Sequence, residues 1–211
     1  MMEAAMIGHS VSLASLYDFC RADPECSAFL GKSPLGRAYG KLAAEIARAF
    51  PIEKGFYLWG FFDEKQQWRS VYVGKAHLGK TNSIRARIEK ELKNERSFVW
   101  LGLRPDGYAY FVDRWLSAYQ EWDGSSKSEQ HVKKALLKSR TTHIVAVSTP
   151  GLSDEHVRGV EAHLIAQFKP TANGQRPPVV PELEVEATKV MKIKYDEISR
   201  LSGSEPYLVG A

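Results

Sequence analysis

The sequence predicts an α+β fold in which helices flank a small mixed β-sheet, and three observations support this prediction. Two runs rich in aromatic and β-branched residues, Gly55–Phe62 and Trp68–Gly74, flank a polar five-residue turn, which is typical of a β-hairpin. A third run, Thr142–Ser148, has the apolar character of a buried strand. Around these runs, apolar residues recur at helical spacing.

The hairpin fixes which side chains share a face. Because successive side chains of a strand alternate, Tyr57 lies on the face opposite to Phe56. The same alternation groups Tyr72 with Ser70 and Gly74, so the hairpin is expected to bring two phenol hydroxyls to one side. Gly74 leaves room for backbone or a ligand to approach. The structural alternative is that both tyrosines are ordinary strand residues with no functional role.

The residues before the hairpin are predicted to be helical. Apolar spacing favours helices over Val11–Arg21 and Leu35–Phe50, and we interpret them as a buttress for the sheet because Lys and Arg are sparse there. Cys20 and Cys26 are the two cysteines of the chain, and they form no metal-site pattern. Two close cysteines in such a chain are expected to be reduced thiols.

A helix over Ser83–Glu95 is predicted directly after the hairpin. Ile84, Ile88 and Leu92 recur every fourth residue and form its apolar stripe. At about 100° per residue, Arg87 lies at the margin of that stripe rather than on the solvated back. The structural alternative is that the aliphatic part of Arg87 packs on the core while its charged end reaches solvent.

A later helix, Asp154–Phe168, carries a carboxylate among apolar residues. Glu161 falls between Val157 and Leu164 on the apolar face. A carboxylate in such a position is costly to bury unless it is paired or binds a metal ion. A buried ion pair with Arg87 is the structural explanation, and a metal site is the functional one.

The remaining segments are read as additions to a core of residues 51–176. Residues 96–140 are predicted to insert a second hairpin and a basic helix with Lys133 and Lys134, whose alternative is a solvated helix face. Residues 1–50 form a helical N-terminal extension. Residues 177–211 form a C-terminal extension with a helix over Glu182–Ser202.

Together these fragments resemble the GIY-YIG nuclease family. Four motifs stand in the order and on the elements that the family uses. They are Gly55-Phe56-Tyr57, Tyr72-Val73-Gly74, Ile84-x-x-Arg87, and a closing segment that runs from Glu161 to Asn173. The resemblance implies the family's small central sheet. It requires Tyr57 and Glu161 to lie on one side of that sheet.

The resemblance also implies roles for these residues. Glu161 would hold one Mg²⁺ or Mn²⁺ ion, and Arg87 would donate hydrogen bonds to the scissile phosphate. Tyr57 would orient or deprotonate the attacking water, with Tyr72 hydrogen-bonded nearby. A phenol needs a nearby cation to act as a base at neutral pH, and that task falls to Lys75, His77 or Lys80. Asn173 would brace the metal-side loop.

One position departs from the family pattern. Many members carry histidine one helical turn after the arginine, and here that residue is Glu91. Glu91 either accepts protons in place of the histidine or simply faces solvent, so the general base stays open.

The function implied is a divalent-metal-dependent endonuclease that cuts double-stranded DNA, of the restriction type. A structure-selective repair nuclease and a non-catalytic nucleic-acid-binding protein are the alternatives. The net charge of +4 suits a polyanion partner, and the N-terminal helices are an alternative DNA-contacting arm. Because a duplex has two strands, we expect a homodimer. The chain shows no membrane span or signal peptide and is expected in the cytoplasm. The predicted phosphate contacts are Arg85, Arg104, Lys133 and Lys134.

Overall fold

A computed structural model of the protein describes residues 8–21, 34–77, 82–93, 141–170, 173 and 185–204. The described strands are β1 (Gly8–Ser12), β2 (Gly55–Phe62), β3 (Trp68–Ala76) and β4 (His143–Ser148). The described helices are α1 (Ala14–Arg21), α2 (Pro34–Arg48), α3 (Ile84–Lys93), α4 (Asp154–Phe168) and α5 (Val185–Ser204).

The four described strands form one sheet in the order β1-β4-β2-β3, which confirms the α+β class. The predicted mixed sheet is not observed, because all three strand pairings among the described residues are antiparallel. Periodicity alone does not give strand direction. A central strand covered by helices on both faces is continuously apolar whether its neighbours run parallel or antiparallel to it.

Helices cover both faces of the sheet and create two hydrophobic clusters. On one face, Tyr57 and Trp59 of β2 pack with buried residues of α1, α2 and α3. On the other, Phe56 and Leu58 pack with buried residues of α4 and α5. The predicted alternation along β2 is therefore confirmed, and helix α2 does pack on the sheet as the buttress interpretation requires.

The predicted hairpin is present, with β2 and β3 joined by the turn that begins at Asp63. One carboxylate oxygen of Asp63 accepts hydrogen bonds from the backbone N–H groups of Lys65 and Gln67, both at 2.9 Å. These bonds replace strand pairing in the turn, as expected for an aspartate in this position. Gln66 adopts a positive φ of 58° that completes the reversal.

A β-bulge changes the register of the hairpin. Trp59 pairs with Tyr72, whereas Gly60 pairs with Ser70, so Val71 is the extra residue. The bulge puts Ser70 on the side opposite to Tyr72, where the indole N–H of Trp68 donates to the Ser70 hydroxyl at 2.7 Å. The expectation that Tyr72 and Ser70 share a face is therefore wrong, because strict alternation does not survive an inserted residue.

The predicted helix over Val11–Arg21 overlaps the end of the first strand. Residues Gly8–Ser12 instead pair with β4 at the edge of the sheet, and the helix begins only at Ala14. The hydroxyl of Ser12 accepts the Ala14 N–H at 3.2 Å and so satisfies a backbone donor at the start of this helix. The segment 1–50 therefore contributes a strand to the sheet as well as helices.

The late helix forms over the predicted residues. Ser153 caps its N-terminus by accepting the His156 N–H, and Lys169 ends it in a left-handed conformation. The inserted segment 96–140 and Cys26 lie outside the described residues, and none of the described helices is long and apolar enough to cross a membrane.

Candidate active site

The two motif tyrosines lie side by side on the hairpin. Their ring centroids are 6.3 Å apart, on the face covered by α1, α2 and α3. Tyr57 pairs with Gly74 across the hairpin, and a Cβ atom at Gly74 would lie only 2.3 Å from Tyr57 Cζ. The space that Gly74 leaves is therefore filled by the Tyr57 ring, not by a ligand.

Glu91 connects Tyr57 to Arg87. The Tyr57 hydroxyl donates to Glu91 Oε1 at 2.6 Å, and Arg87 Nη2 lies 3.5 Å from the same oxygen. The Glu91 side chain is only 8% exposed, so the expectation that it faces solvent is wrong. Its i,i+4 spacing from Arg87 puts both on one helix face, and that face is turned toward the hairpin.

Burial keeps both phenols protonated at neutral pH. Desolvation raises the pKa of Tyr57 well above its ordinary value of 10, and the negative charge of Glu91 raises it further. Desolvation also raises the pKa of Tyr72, with additional contributions from Glu91 and Glu161. The Arg87 guanidinium is a cation that lowers both pKa values, but burial and the carboxylates outweigh it. The predicted proton transfer from water to Tyr57 finds no support in this environment.

Arg87 has capacity to bind an anion. Its side chain is 35% exposed, and one guanidinium nitrogen is directed to Glu91. Its Nε atom is buried and has no hydrogen-bond partner within the described part of the chain. A guanidinium has five N–H donors, so the contact with Glu91 leaves donors for a second acceptor such as a phosphate oxygen.

Glu161 pairs with a lysine rather than with Arg87. The ammonium of Lys75 on β3 forms an ion pair with Glu161 Oε2 on α4, and the two side chains are 25% and 18% exposed. Lys75 is the cross-strand partner of Phe56, so this pair lies on the face opposite to Tyr57. The structure thus corrects the expectation that Tyr57 and Glu161 share one side of the sheet.

The two faces meet at the outer edge of the sheet, because β3 is an edge strand. A pocket of about 250 Å³ lies at this edge and collects side chains from β3 and the residue after it, from α3 and the segment just before it, and from α4. Five predicted site residues line it together with Ala76 and Asn82. They are Tyr72, Lys75, His77, Arg87 and Glu161.

Asn82 and His77 add polar groups to the pocket. Asn82 was not among the predicted site residues, and its place just before α3 is the sequence signal that could have marked it. Desolvation and the nearby charge of Lys75 hold the pKa of His77 below its ordinary value of 6.5. His77 is thus a neutral imidazole at pH 7.

Asn173 stabilises the edge strand. Its side-chain Oδ1 accepts the Val73 N–H at 2.7 Å, and its Nδ2 donates to the Val73 carbonyl at 2.8 Å. The amide therefore satisfies outward-facing backbone groups of β3 in the way a further strand would. Asn173 thus braces strand β3 next to Gly74. It does not line the pocket.

Arg85, a predicted phosphate contact, is used within the fold. Its guanidinium donates to the carbonyls of Phe50 and Arg48 just beyond and at the end of α2, at 2.8 Å and 3.1 Å. These bonds satisfy orphan carbonyls at a helix end. Three other predicted contacts and one catalytic candidate lie outside the described residues. They are Arg104, Lys133, Lys134 and Lys80.

The metal prediction depends on a single carboxylate. Within the described ranges, no group of three or more His, Cys, Asp or Glu side chains is arranged to hold a metal ion. Glu161 nevertheless suits Mg²⁺, which is bound in many enzymes by one or two carboxylates while substrate phosphate and water complete its coordination. The Glu161 carboxylate already attracts a cation, Lys75, in a pocket with space for such ligands.

Comparison of the chain with protein-family models, with curated proteins and with solved structures gives no significant match. The resemblance to GIY-YIG nucleases therefore rests on the four sequence motifs alone. The placement of Tyr57 and Glu161 on opposite faces of the sheet departs from the arrangement that the resemblance requires.

Proposed function

We propose that this protein is a divalent-metal-dependent endonuclease that hydrolyses phosphodiester bonds in double-stranded DNA. The observation that carries the proposal is the pocket at the outer edge of β3. Tyr72, Arg87 and Glu161 belong to three separate motifs, yet they line one pocket. Tyr72 and Glu161 are 89 residues apart in the sequence. A structural role for each residue alone gives no reason for them to converge there.

Glu161 is the residue that would hold Mg²⁺ or Mn²⁺. A bound divalent ion neutralises charge on the phosphate and stabilises the leaving oxygen. On the other side of the pocket, the exposed part of the Arg87 guanidinium would donate to the phosphate oxygens. Arg87 would stabilise the negative charge that builds up there during attack by water.

The attacking water needs a proton acceptor, and the pocket leaves one main candidate. Lys75 and Arg87 are cations, and the phenol of Tyr72 keeps its proton because its pKa is raised by burial. His77 is a neutral imidazole at pH 7 because its pKa is lowered. We therefore assign His77 as the group that takes the proton from water, and Tyr72 as a hydrogen-bonding group that orients this water.

Tyr57 has a different role from the one expected of it. Its side chain is fully buried, and its hydroxyl donates to Glu91, which in turn faces Arg87. In this proposal Tyr57 and Glu91 are positioning residues that fix the Arg87 guanidinium at the pocket. A homodimer on DNA, with one site for each strand, is part of the same proposal.

The decisive experiment is digestion of a long linear duplex with purified protein and Mg²⁺, comparing the wild type with Glu161→Gln. Loss of the carboxylate should reduce cleavage by several orders of magnitude, because the metal contributes several kcal/mol and each 1.36 kcal/mol is tenfold in rate. DNA binding should persist. Discrete product bands from the wild type would indicate a restriction-type enzyme.

Glu155→Gln is the matched control, because Glu155 is an exposed residue in the first turn of the same helix and does not line the pocket. It should cut like the wild type. Normal cleavage by a folded Glu161→Gln protein would refute the metal-ligand role. A smear of products points to a structure-selective nuclease, and DNA binding without any product points to a non-catalytic binding protein.

A further inference from the structure

The ion pair between Lys75 and Glu161 occupies the atom that the proposed metal ion needs. Glu161 is the one carboxylate among the residues that line the described pocket, and its Oε2 is taken by the Lys75 ammonium. Both side chains are partly exposed, at 25% and 18%, so water and ions have access to the pair. The proposed site thus already contains a cation supplied by the chain.

An ammonium and a divalent ion compete for one carboxylate. Both are hard cations attracted to the same oxygens, and they repel each other strongly at short distance. Lysine carries its charge on a flexible four-carbon stem, so its ammonium is able to leave without movement of the backbone. Arg87 does not substitute for it, because that guanidinium faces Glu91 on the other side of β3.

We propose that Lys75 is an exchangeable counter-ion of Glu161, which neutralises the carboxylate in the metal-free protein and is displaced when a divalent ion binds. This inference rests on the proposed metal role of Glu161. Displacement leaves the ammonium in the pocket, where a phosphate oxygen gives it a new partner. Metal and DNA should therefore strengthen each other's binding, since a coupling free energy between two ligands is reciprocal.

The test is a calorimetric titration with Mn²⁺ alone, without DNA, on four proteins: the wild type, Lys75→Met, Glu161→Gln and Lys54→Met. Removal of the competing ammonium should tighten Mn²⁺ binding by about tenfold or more in Lys75→Met. Glu161→Gln should lose saturable binding. Lys54→Met is the matched control, because it removes the same charge from another ion pair with α4, in which Lys54 Nζ lies 3.7 Å from Asp154 Oδ1 outside the pocket lining.

Thermal melting gives a second readout that does not depend on cleavage. Without metal, Lys75→Met should melt earlier than the wild type, and saturating Mn²⁺ should raise its melting temperature more than that of the wild type. When Lys75→Met is combined with Glu161→Gln, the lysine substitution should no longer cause earlier melting, and Mn²⁺ should no longer raise the melting temperature. Lys75→Gln, which keeps a polar end, provides the same comparison if methionine disturbs folding.

The outcomes separate this inference from the proposed function. Wild-type Mn²⁺ affinity in Glu161→Gln would overturn the metal site and the counter-ion role together. Loss of binding in Glu161→Gln, with Lys75→Met and Lys75→Gln binding no more tightly than the wild type, would overturn the counter-ion role alone. Equal tightening in Lys54→Met would show a general charge effect and would also overturn it.

Discussion

Glu91 and Glu161 lie on opposite faces of the edge strand and illustrate two ways of keeping a carboxylate in a protein. Glu91 is 8% exposed, accepts a hydrogen bond from a fully buried tyrosine, and pairs with an arginine one turn away on its own helix. Glu161 is 18% exposed and pairs across elements with a flexible lysine in an open pocket. Packing holds the first set of partners, whereas solvent reaches both members of the second pair. In the proposed function, Glu91 positions Arg87, and Glu161 exchanges its lysine for a metal ion.

The most direct way to break this comparison is to remove each carboxylate and measure stability. Glu91→Leu should lower the free energy of unfolding by about 3 kcal/mol, because it leaves the Tyr57 hydroxyl and the Arg87 guanidinium without their acceptor in a buried setting. Glu161→Leu should cost about 1 kcal/mol, because water reaches the Lys75 ammonium that remains. Urea denaturation of both variants measures the difference.

Glu91→Gln serves as the control for shape. Its amide oxygen still accepts the Tyr57 hydroxyl, so we expect a smaller loss of about 1–2 kcal/mol. Equal losses of stability in the two leucine variants would contradict the distinction between a fixed and an exchangeable carboxylate.

The fold was largely accessible from local sequence patterns, and the exceptions depend on tertiary pairing. Strand β2 is a continuous aromatic and apolar run, helix α4 repeats apolar residues at helical spacing, and the predicted bounds of both match the structure. Strand β1 is five residues long, Gly-His-Ser-Val-Ser, with no strong β-propensity of its own. Its structure is decided by backbone pairing with β4, which is far away in sequence. The bulge at Val71 is likewise invisible to strict alternation.

The sequence predicted which residues line the pocket better than it predicted which contacts they make. Motif order identified Tyr72, Arg87 and Glu161, which do line one pocket. The partner of each charge was missed, because helical spacing shows that Arg87 and Glu91 are neighbours but does not show which strand covers them. Since α3 and α4 lie on opposite faces of the sheet, Glu161 meets the lysine of the edge strand instead of Arg87.

A substitution at Gly74 tests how tightly the fixed side is packed. The new Cβ of Gly74→Ala would lie 2.3 Å from Tyr57 Cζ and 2.5 Å from its hydroxyl oxygen. Because the ring is fully buried, it has no space to yield, and we expect a loss of stability of about 1–3 kcal/mol. Chemical denaturation measures this loss.

The same substitution at Gly40 should have the opposite sign. Gly40 lies inside α2, and a Cβ atom there meets none of the described atoms within 4 Å. Alanine is the better helix former, so Gly40→Ala should stabilise the protein by about 0.5–1 kcal/mol. If Gly74→Ala were as well tolerated as Gly40→Ala, the close fit of Tyr57 against β3 would be wrong.

The two tyrosines allow the finest comparison, since each change removes a single oxygen atom. Tyr57→Phe takes away the hydroxyl that donates to the buried Glu91 carboxylate, so it should lower the free energy of unfolding by about 1–2 kcal/mol. Tyr72 lines the pocket, where water is able to replace its hydroxyl, and Tyr72→Phe should cost less than about 1 kcal/mol. In the cleavage assay we expect both variants to lose activity, Tyr72→Phe through the attacking water and Tyr57→Phe through the alignment of Arg87. A stable Tyr57→Phe protein that cuts DNA normally would show that the network of Tyr57, Glu91 and Arg87 serves neither stability nor the proposed chemistry.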